Sequence, residues 1–225
     1  MIPLQFKVNR MVNAGYVGRD RKAVEAHIEE LKKEGVPTPP SVPILFPVLS
    51  NNITVSDNIE VVGDKTSGEV EYVLLFNRQD IFVGVGSDHT DRDLEGKSII
   101  KSKQICMNVL SQKVWDYQEV RSHWDNLLLQ SWVKDKDSNE EVLYQKALLA
   151  TILPADEIMK LVKANMKDSH LEGFAIFSGT VPILSNGFNY GPYFRGELVD
   201  PVLNRTLICE YRINQLDYLQ DMGLV

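Results

Sequence analysis

The chain has 225 residues, with 24 Lys and Arg against 31 Asp and Glu, a formal charge of -7 and 44% hydrophobic residues. That length supports one sizeable core, or a main domain with a short extension, and an acidic balance without a basic block argues against a nucleic-acid partner. No apolar run approaches the roughly 18 residues of a membrane span, so no membrane partner is expected.

At the start, Ile2, Leu4, Phe6 and Val8 alternate as in a strand and form no continuous apolar stretch, which excludes a secretory signal and makes a cytoplasmic location the expectation. A helix follows in DRKAVEAHIEELKKEG: Asp20 caps it, Val24, Ile28 and Leu31 line one face, and Gly35 with Pro37 ends it. The proline-rich VPTPPSVPILFPV is an extended connector. It separates an N-terminal strand and helix segment, residues 1–41, from a core over residues 42–225. Strands and turns dominate as far as Val120, in ITVSDNIEVVG, EYVLLF, IFVGVG and QICMNVLSQKVW. Residues 121–136, with His123, Trp124 and Trp132 around an apolar LLL, form an extended segment or hairpin, and KDKDSNEE is an exposed turn. Two helices are expected next, one over residues 141–151 and one opening at Pro154 with acids in its first turn. GFAIFSGTVP and GELVDPVLNRTLICEYRI return to strands. Cys106 and Cys209 sit in apolar, strand-like surroundings without metal-ligand spacing and read as reduced core residues.

The most informative stretch is GEVEYVLLFNRQDIFVGVGSDHTDRDLE, residues 68–95. In an extended chain side chains two apart share a face, so Glu69 and Glu71 point the same way at the mouth of an apolar strand. Poorly hydrated carboxylates need a partner, and a hard divalent cation with oxygen ligands at about 2.0 to 2.6 Å would satisfy both, with Asp88 from a following strand end as a third ligand. The alternative from pattern alone is an edge strand whose glutamates face solvent beside salt-bridge partners. A calcium loop in DHTDRDLE is a further reading, but the stretch lacks the glycine and terminal glutamate spacing of an EF-hand.

Taken together the motifs resemble the fumarylacetoacetate hydrolase superfamily, in particular an uncharacterised bacterial branch of it. GEVEYVLLF resembles the superfamily's Glu-x-Glu strand and GVGSDHTDRDLE its Asn-Asp-x-Ser-Ala-Arg-Asp segment. KSKQICMNVLSQKVW resembles its lysine-centred segment, FSGTVP its Gly-Thr-Pro turn, and AHIEELKKEGVPTPPSVPILF its His-x-x-Glu segment before a proline-rich run. The resemblance implies an α+β fold, a mixed β-sheet roll or sandwich of the superfamily's C-terminal-domain type with peripheral helices, and a homodimer. It also implies a metal-dependent hydrolase or lyase acting on a small 2-oxo acid or acylpyruvate-like 1,3-dicarbonyl acid. The reaction class is carbon-carbon hydrolysis or decarboxylation through a metal-stabilised enolate, with Mg2+ (or Mn2+, Ca2+) as the ion.

Carried over by motif, Glu69, Glu71 and Asp88 are the metal ligands, while His27 and Glu30, three apart on one helix face, are a base and the group that orients it. Without the resemblance that pair is an ordinary surface histidine and a solvated glutamate. Lys101 matches the superfamily's lysine, with Lys103 close enough for a small register error to exchange them. Arg92 matches an arginine that contacts substrate or orders the metal site; its plainer role is an ion pair with Asp88, Asp91 or Asp93. Glu95, Gly179 and Thr180 complete the implied substrate-binding set, although Gly-Thr-Val-Pro also makes a tight turn unaided. The departures are Ser87 for asparagine, Asp91 for alanine and Glu95 for glutamine, which make the cluster more acidic; His89 adds a donor beside it. NGFNYGPYFRG, with Tyr190, Tyr193 and Arg195, reads as a substrate-shaping loop or a plain glycine-rich turn. The alternative function is a noncatalytic metal-binding or small-acid-binding protein of the same fold.

Overall fold

The computed structural model describes residues 6–33, 38–135, 140–168 and 170–219, and the side chains of His27, Glu30, Leu31 and Lys33 lie outside the described set. Ile2 and Leu4, and the expected helix stop at Gly35 and Pro37, also fall outside it. The first half contains β1 (Arg10–Gly15), α1 (Arg21–Lys33), β2 (Ile44–Val48), β3 (Ile53–Thr54), β4 (Asn58–Val61), β5 (Thr66–Ser67), β6 (Val70–Asn77) and β7 (Asp80–Asp88). Next come β8 (Thr90–Asp91), α2 (Arg92–Glu95), α3 (Ile99–Ile105), β9 (Asn108–Leu110), β10 (Trp115–Asp116) and α4 (Tyr117–Val120). The rest is β11 (Leu128–Lys134), β12 (Glu141–Leu148), α5 (Ala155–Asn165), β13 (Phe174–Phe177), β14 (Tyr193–Asp200) and β15 (Arg205–Gln215). No described helix is long and apolar enough to cross a membrane.

Two mixed sheets face each other, one running β2-β1-β13-β6-β7-β9-β3 with β10 on β7, the other β12-β11-β14-β15-β4. This is the expected α+β sandwich with peripheral helices. β6 explains why the sheets meet where they do. Its residues Val70 to Phe76 are all buried. Val70, Tyr72, Leu74 and Phe76 join Leu129, Phe194 and Tyr211 in the large core between the sheets, whereas Val73 and Leu75 meet Met11, Val48 and Phe177 on the opposite face. A strand buried on both faces reads as the continuous apolar run seen in the sequence. β1 is an inner strand, parallel to β13 and antiparallel to β2, so the segment before Val42 shares the main sheet with strands from the rest of the chain. The proline-rich connector ends in β2, an edge strand, which is where Pro47 can sit without removing a ladder hydrogen bond. Asp20 caps α1 as expected, its Oδ1 accepting from the amides of Lys22 at 3.0 Å and Ala23 at 3.2 Å. Cys106 and Cys209 are free and buried.

Two expectations change. Residues 141–151, expected as helix, are mainly strand β12, paired along its length with β11. A bulge between Ser131 and Trp132 skips Tyr144 in the register, so Tyr144 and Gln145 are both buried although adjacent. That breaks the alternation by which a strand is recognised, and the helix formers Leu143, Gln145, Lys146 and Ala147 then suggest the wrong period. Residues 104–115, expected among strands and turns, open on the end of helix α3 before β9 and β10. Pairing of short strands to β7 and β3, not local propensity, decides the outcome there.

Gly86 in β7 lies opposite Glu71 in β6. A Cβ at Gly86 would come within 2.7 Å of both the Val109 carbonyl oxygen and the Phe177 ring, and within 2.8 Å of Val73. β9 and β13 therefore close directly on β7, just before it delivers Asp88. Gly86→Ala is expected to cost about 1–3 kcal/mol of stability through overpacking, read from the urea midpoint. Unchanged stability would mean that β9 gives way easily beside β7 and does not hold the Asp88 end of that strand in place.

Candidate metal centre

β6 and β7 are antiparallel neighbours, with Val70 opposite Ser87 and Glu71 opposite Gly86. The Asp88 amide donates to the Glu69 carbonyl at 3.1 Å, which pins the end of β7 beside the residue that opens β6. As the strand period dictates, Glu69 and Glu71 share a face, and Asp88 joins them from the neighbouring strand. One carboxylate oxygen from each of the three lies within 4.8 Å of the others. Glu71 is 1% and Asp88 0% exposed, while the Glu69 side chain retains 19% exposure, so the cluster opens to solvent on the Glu69 side.

Two cations meet the cluster. Lys103, on α3, donates its Nζ to Asp88 Oδ2 and sits 3.9 Å from Glu69 Oε2. Lys101 is exposed on the other side of that helix, so the register reads Lys103 at the site rather than Lys101. Arg92, at the start of α2, donates Nη1 to Glu95 Oε2 at 2.8 Å and Nε to Ser67 Oγ at 2.8 Å. Its Nη2 lies 3.1 Å from Glu69 Oε1 but off the hydrogen-bond line, and is a buried donor without an acceptor. Its ion-pair partners are thus Glu69 and Glu95, not Asp88, Asp91 or Asp93. Asp91 instead caps α2 by accepting from the Leu94 amide at 2.9 Å, and Asp93 meets Lys65 at the surface at 3.3 Å.

The Gly179–Thr180 turn closes the inner wall. The Gly179 amide donates to Glu71 Oε2 at 2.8 Å from a left-handed backbone with φ +85°, a conformation that glycine adopts freely. Thr180 Oγ1 donates to the Val70 carbonyl at 2.8 Å and accepts from Gln145 Nε2 at 2.8 Å. Gln145 was not anticipated as a site residue. Fully buried on β12, it also accepts at Oε1 from the Val70 amide at 3.0 Å and donates to the Val181 carbonyl at 2.6 Å, tying β6 to the turn. Misreading β12 as helix concealed it. Behind Asp88 runs a buried polar chain: Ser87 Oγ meets the Tyr211 hydroxyl at 2.8 Å, that hydroxyl meets His89 Nδ1 at 3.0 Å, and His89 Nε2 meets Thr66 Oγ1 at 2.9 Å. Burial and the Arg92 charge press the His89 pKa down to about 3, so this chain is neutral in ordinary buffers.

Of the expected loop, Phe188 rather than Tyr193 or Arg195 reaches the site. Its ring lies 4.1 Å from the Arg92 guanidinium carbon. Tyr193 bonds Glu210 at 2.9 Å and Arg195 pairs with Glu141 at 2.9 Å, both on the outer face of the second sheet. Tyr190 packs against Phe188, with 6.5 Å between ring centres. The backbone of His27 and Glu30 belongs to α1, but their side chains lie outside the described residues.

The electrostatics suit a cation. Burial pushes the Glu69 carboxyl up, but Arg92 and Lys103 outweigh that and hold it below the usual carboxylate range. Glu71 goes the other way: burial first, then Asp88 and Glu69, raise it well above 4.5, against smaller opposing effects of Lys103 and the Gly179 amide. A third carboxylate that cannot ionise cheaply beside two others, in an all-oxygen donor set, fits a hard divalent ion in place of the proton. Because the folded pKa exceeds the unfolded one, Glu71 retains a proton that the unfolded chain releases, and stability declines as pH rises from 4.5 through the raised value. Glu71→Gln in metal-free buffer is therefore expected to be more stable than the wild type at about pH 8, with the gap narrowing toward about pH 5. Urea unfolding at both pH values measures this; a gap that does not vary with pH would remove Glu71 as the strained member.

A family model described as "Protein of unknown function (DUF2848)" matches residues 14–211. No curated protein matches the sequence. Solved structures with the same fold include that of Cg1458, at 16% identity and TM-score 0.66 over 93% of this chain and 77% of that one. A 2-keto-3-deoxy-D-arabinonate dehydratase complexed with magnesium and 2,5-dioxopentanoate shares 14% identity and TM-score 0.62, covering 93% and 74%. The 4-oxalocrotonate decarboxylase from Pseudomonas putida G7, complexed with calcium and acetate, shares 13% identity and TM-score 0.59, covering 93% and 78%. At these identities the likeness is one of fold alone.

Proposed function

We propose that this chain, which belongs to the DUF2848 family, is a divalent-metal-dependent enzyme acting on a small 2-oxo acid or acylpyruvate-like 1,3-dicarbonyl acid, as a hydrolase or lyase. The observation that carries the reading is the cluster of partly exposed Glu69 with buried Glu71 and Asp88, with ligand oxygens within 4.8 Å, in a fold shared with proteins solved with magnesium or calcium. In this reading those three residues hold Mg2+, or Mn2+ or Ca2+. When bound, such an ion supplies Lewis acidity to a 2-oxo group and lowers the barrier to breaking a bond at the neighbouring carbon.

The chain's own residues do the rest. Lys103 holds Asp88 in place and offsets charge that develops on the substrate's oxygens. Arg92 orients Glu69, and Gly179 with Thr180 fixes Glu71 and the wall beside it. His27, oriented by Glu30, is the proposed base, and a homodimer is the proposed assembly.

Mg2+ or Mn2+ is expected to raise the melting temperature, and oxalate or pyruvate to raise it further only when metal is present. A ligand at one hundred times its Kd adds about 2.7 kcal/mol, roughly 5–10 °C for a domain of this size. Glu69→Ala combined with Glu71→Ala should abolish both shifts. Absence of any metal-dependent oxalate shift in the intact protein would refute the enzyme reading. Separately, His27→Ala should lower turnover of an acylpyruvate panel by roughly 100-fold or more while leaving the thermal shifts intact; unchanged turnover would remove His27 and keep the metal site.

A further inference from the structure

The side of the cluster that faces solvent carries a charge which the metal reading leaves unexplained. Glu69 and Glu95 retain 19% and 23% side-chain exposure, against 0% for Asp88 and 1% for Glu71, so a ligand reaches the cluster past Glu69 and Glu95. Tyr16, half-buried, lies in the electrostatic reach of Glu95, Lys103 and Glu69, and Phe188 covers the face of Arg92.

Arg92 is the cation that would meet a second carboxylate on a ligand, but its fork is already committed. Nη1 holds Glu95, Nε holds Ser67, and Nη2 lies against Glu69. What remains is hydrogen-bonding capacity without net charge. Nη2 is a buried donor lacking an acceptor, and so is the hydroxyl of Tyr144, the residue the bulge skips. That hydroxyl lies beside Ser67 and the Asn189 backbone, near Arg92, without completing a hydrogen bond to either neighbour. Bulges commonly re-aim a side chain next to a functional site.

The charges can be counted. Glu69, Glu71, Asp88 and Glu95 face Lys103 and Arg92, which leaves two negative charges, and one divalent ion cancels them. A ligand with a single carboxylate then adds one negative charge to a neutral site. A dicarboxylate adds two, the second close to Glu95.

Resting on the metal-dependent reading above, we infer that Glu95 selects monoanionic ligands: 2-oxo acids with one carboxylate whose remote end is uncharged. Its negative charge and its capture of Arg92 act together. Removing the charge should free the guanidinium for a second carboxylate.

The experiment is isothermal titration of the magnesium-loaded protein with 2-oxopentanoate and 2-oxoglutarate, which match in length and differ in a terminal methyl against a carboxylate. Wild type is expected to prefer 2-oxopentanoate. In Glu95→Gln, 2-oxoglutarate should gain roughly tenfold or more relative to 2-oxopentanoate, about the effect of one unscreened charge at close range. Glu95→Asp, which keeps the charge, should keep the wild-type preference, whereas a merely structural role would make the two variants alike. Metal-dependent binding with a ratio unmoved in Glu95→Gln, or a wild type that prefers 2-oxoglutarate, overturns this inference and spares the parent reading. If neither acid binds and magnesium itself has no effect, both fall.

Discussion

The structure depends on one electrostatic constraint: three carboxylates must share a few ångströms of poorly hydrated space where two β-strands end. Glu69 and Glu71 differ in what surrounds them, and their ionisation divides accordingly. Glu69 is held charged by Arg92 and Lys103, Asp88 is bonded by the Lys103 ammonium, and Glu71 accepts from the Gly179 backbone amide, with Lys103 too weak an influence to offset its burial. A cluster of this kind is costly without compensation, since burial and like charge act in the same direction on its least compensated member. The elements around it read as that compensation. The helix carrying Lys103, the short helix carrying Arg92 and the Gly179 turn each deliver one positive or donating group.

How much of this was legible in the sequence depends on the range of the interactions involved. The shared face of Glu69 and Glu71 is a property of one extended strand, and the burial of the apolar run behind it reflects composition, so both could be read locally. Asp88 was legible because the hairpin between β6 and β7 is short. The lysine was placed at Lys101, two residues from Lys103, with Lys103 kept as the alternative. Which lysine faces the carboxylates depends on the rotation of α3 about its axis, and tertiary packing sets that. Gln145 and Tyr144 were missed for a related reason. The bulge opposite Ser131 and Trp132 places two adjacent residues inward, and no periodicity rule anticipates a break that exists only once β11 and β12 are paired. Phe188 had no local signal beyond its glycine-rich setting.

The acidic run after Asp88 shows why counting charges in a sequence overstates a site. Four carboxylates succeed one another in DHTDRDLE, yet they do four different things. Asp88 faces the cluster, Asp91 caps a helix, Asp93 meets a surface lysine, and Glu95 turns back to Arg92. Only the helical turn that starts at Arg92 separates these roles, because it sends Asp93 outward and returns Glu95, three residues after Arg92, to the same side. The extra acidity that bears on the cluster is therefore concentrated at Glu95, which pairs with Arg92, with Asp91 accounted for by capping.

Stability and chemistry pull against each other at this site. A neutral residue at Glu71 would relieve the like-charge conflict, and an apolar one would suit the core that Val73 and Leu75 already occupy on the same face. The fold instead keeps three acids, supports them with the buried Ser87, Tyr211, His89 and Thr66 chain behind, and fastens the opposite wall through Gln145. Such investment at a position that lowers the stability of the metal-free protein is what the proposed binding centre would require: a cation placed there would relieve the like-charge conflict, and that relief would add to its affinity. A sheet that needed only to pack would have extended the apolar run of β6 by two residues.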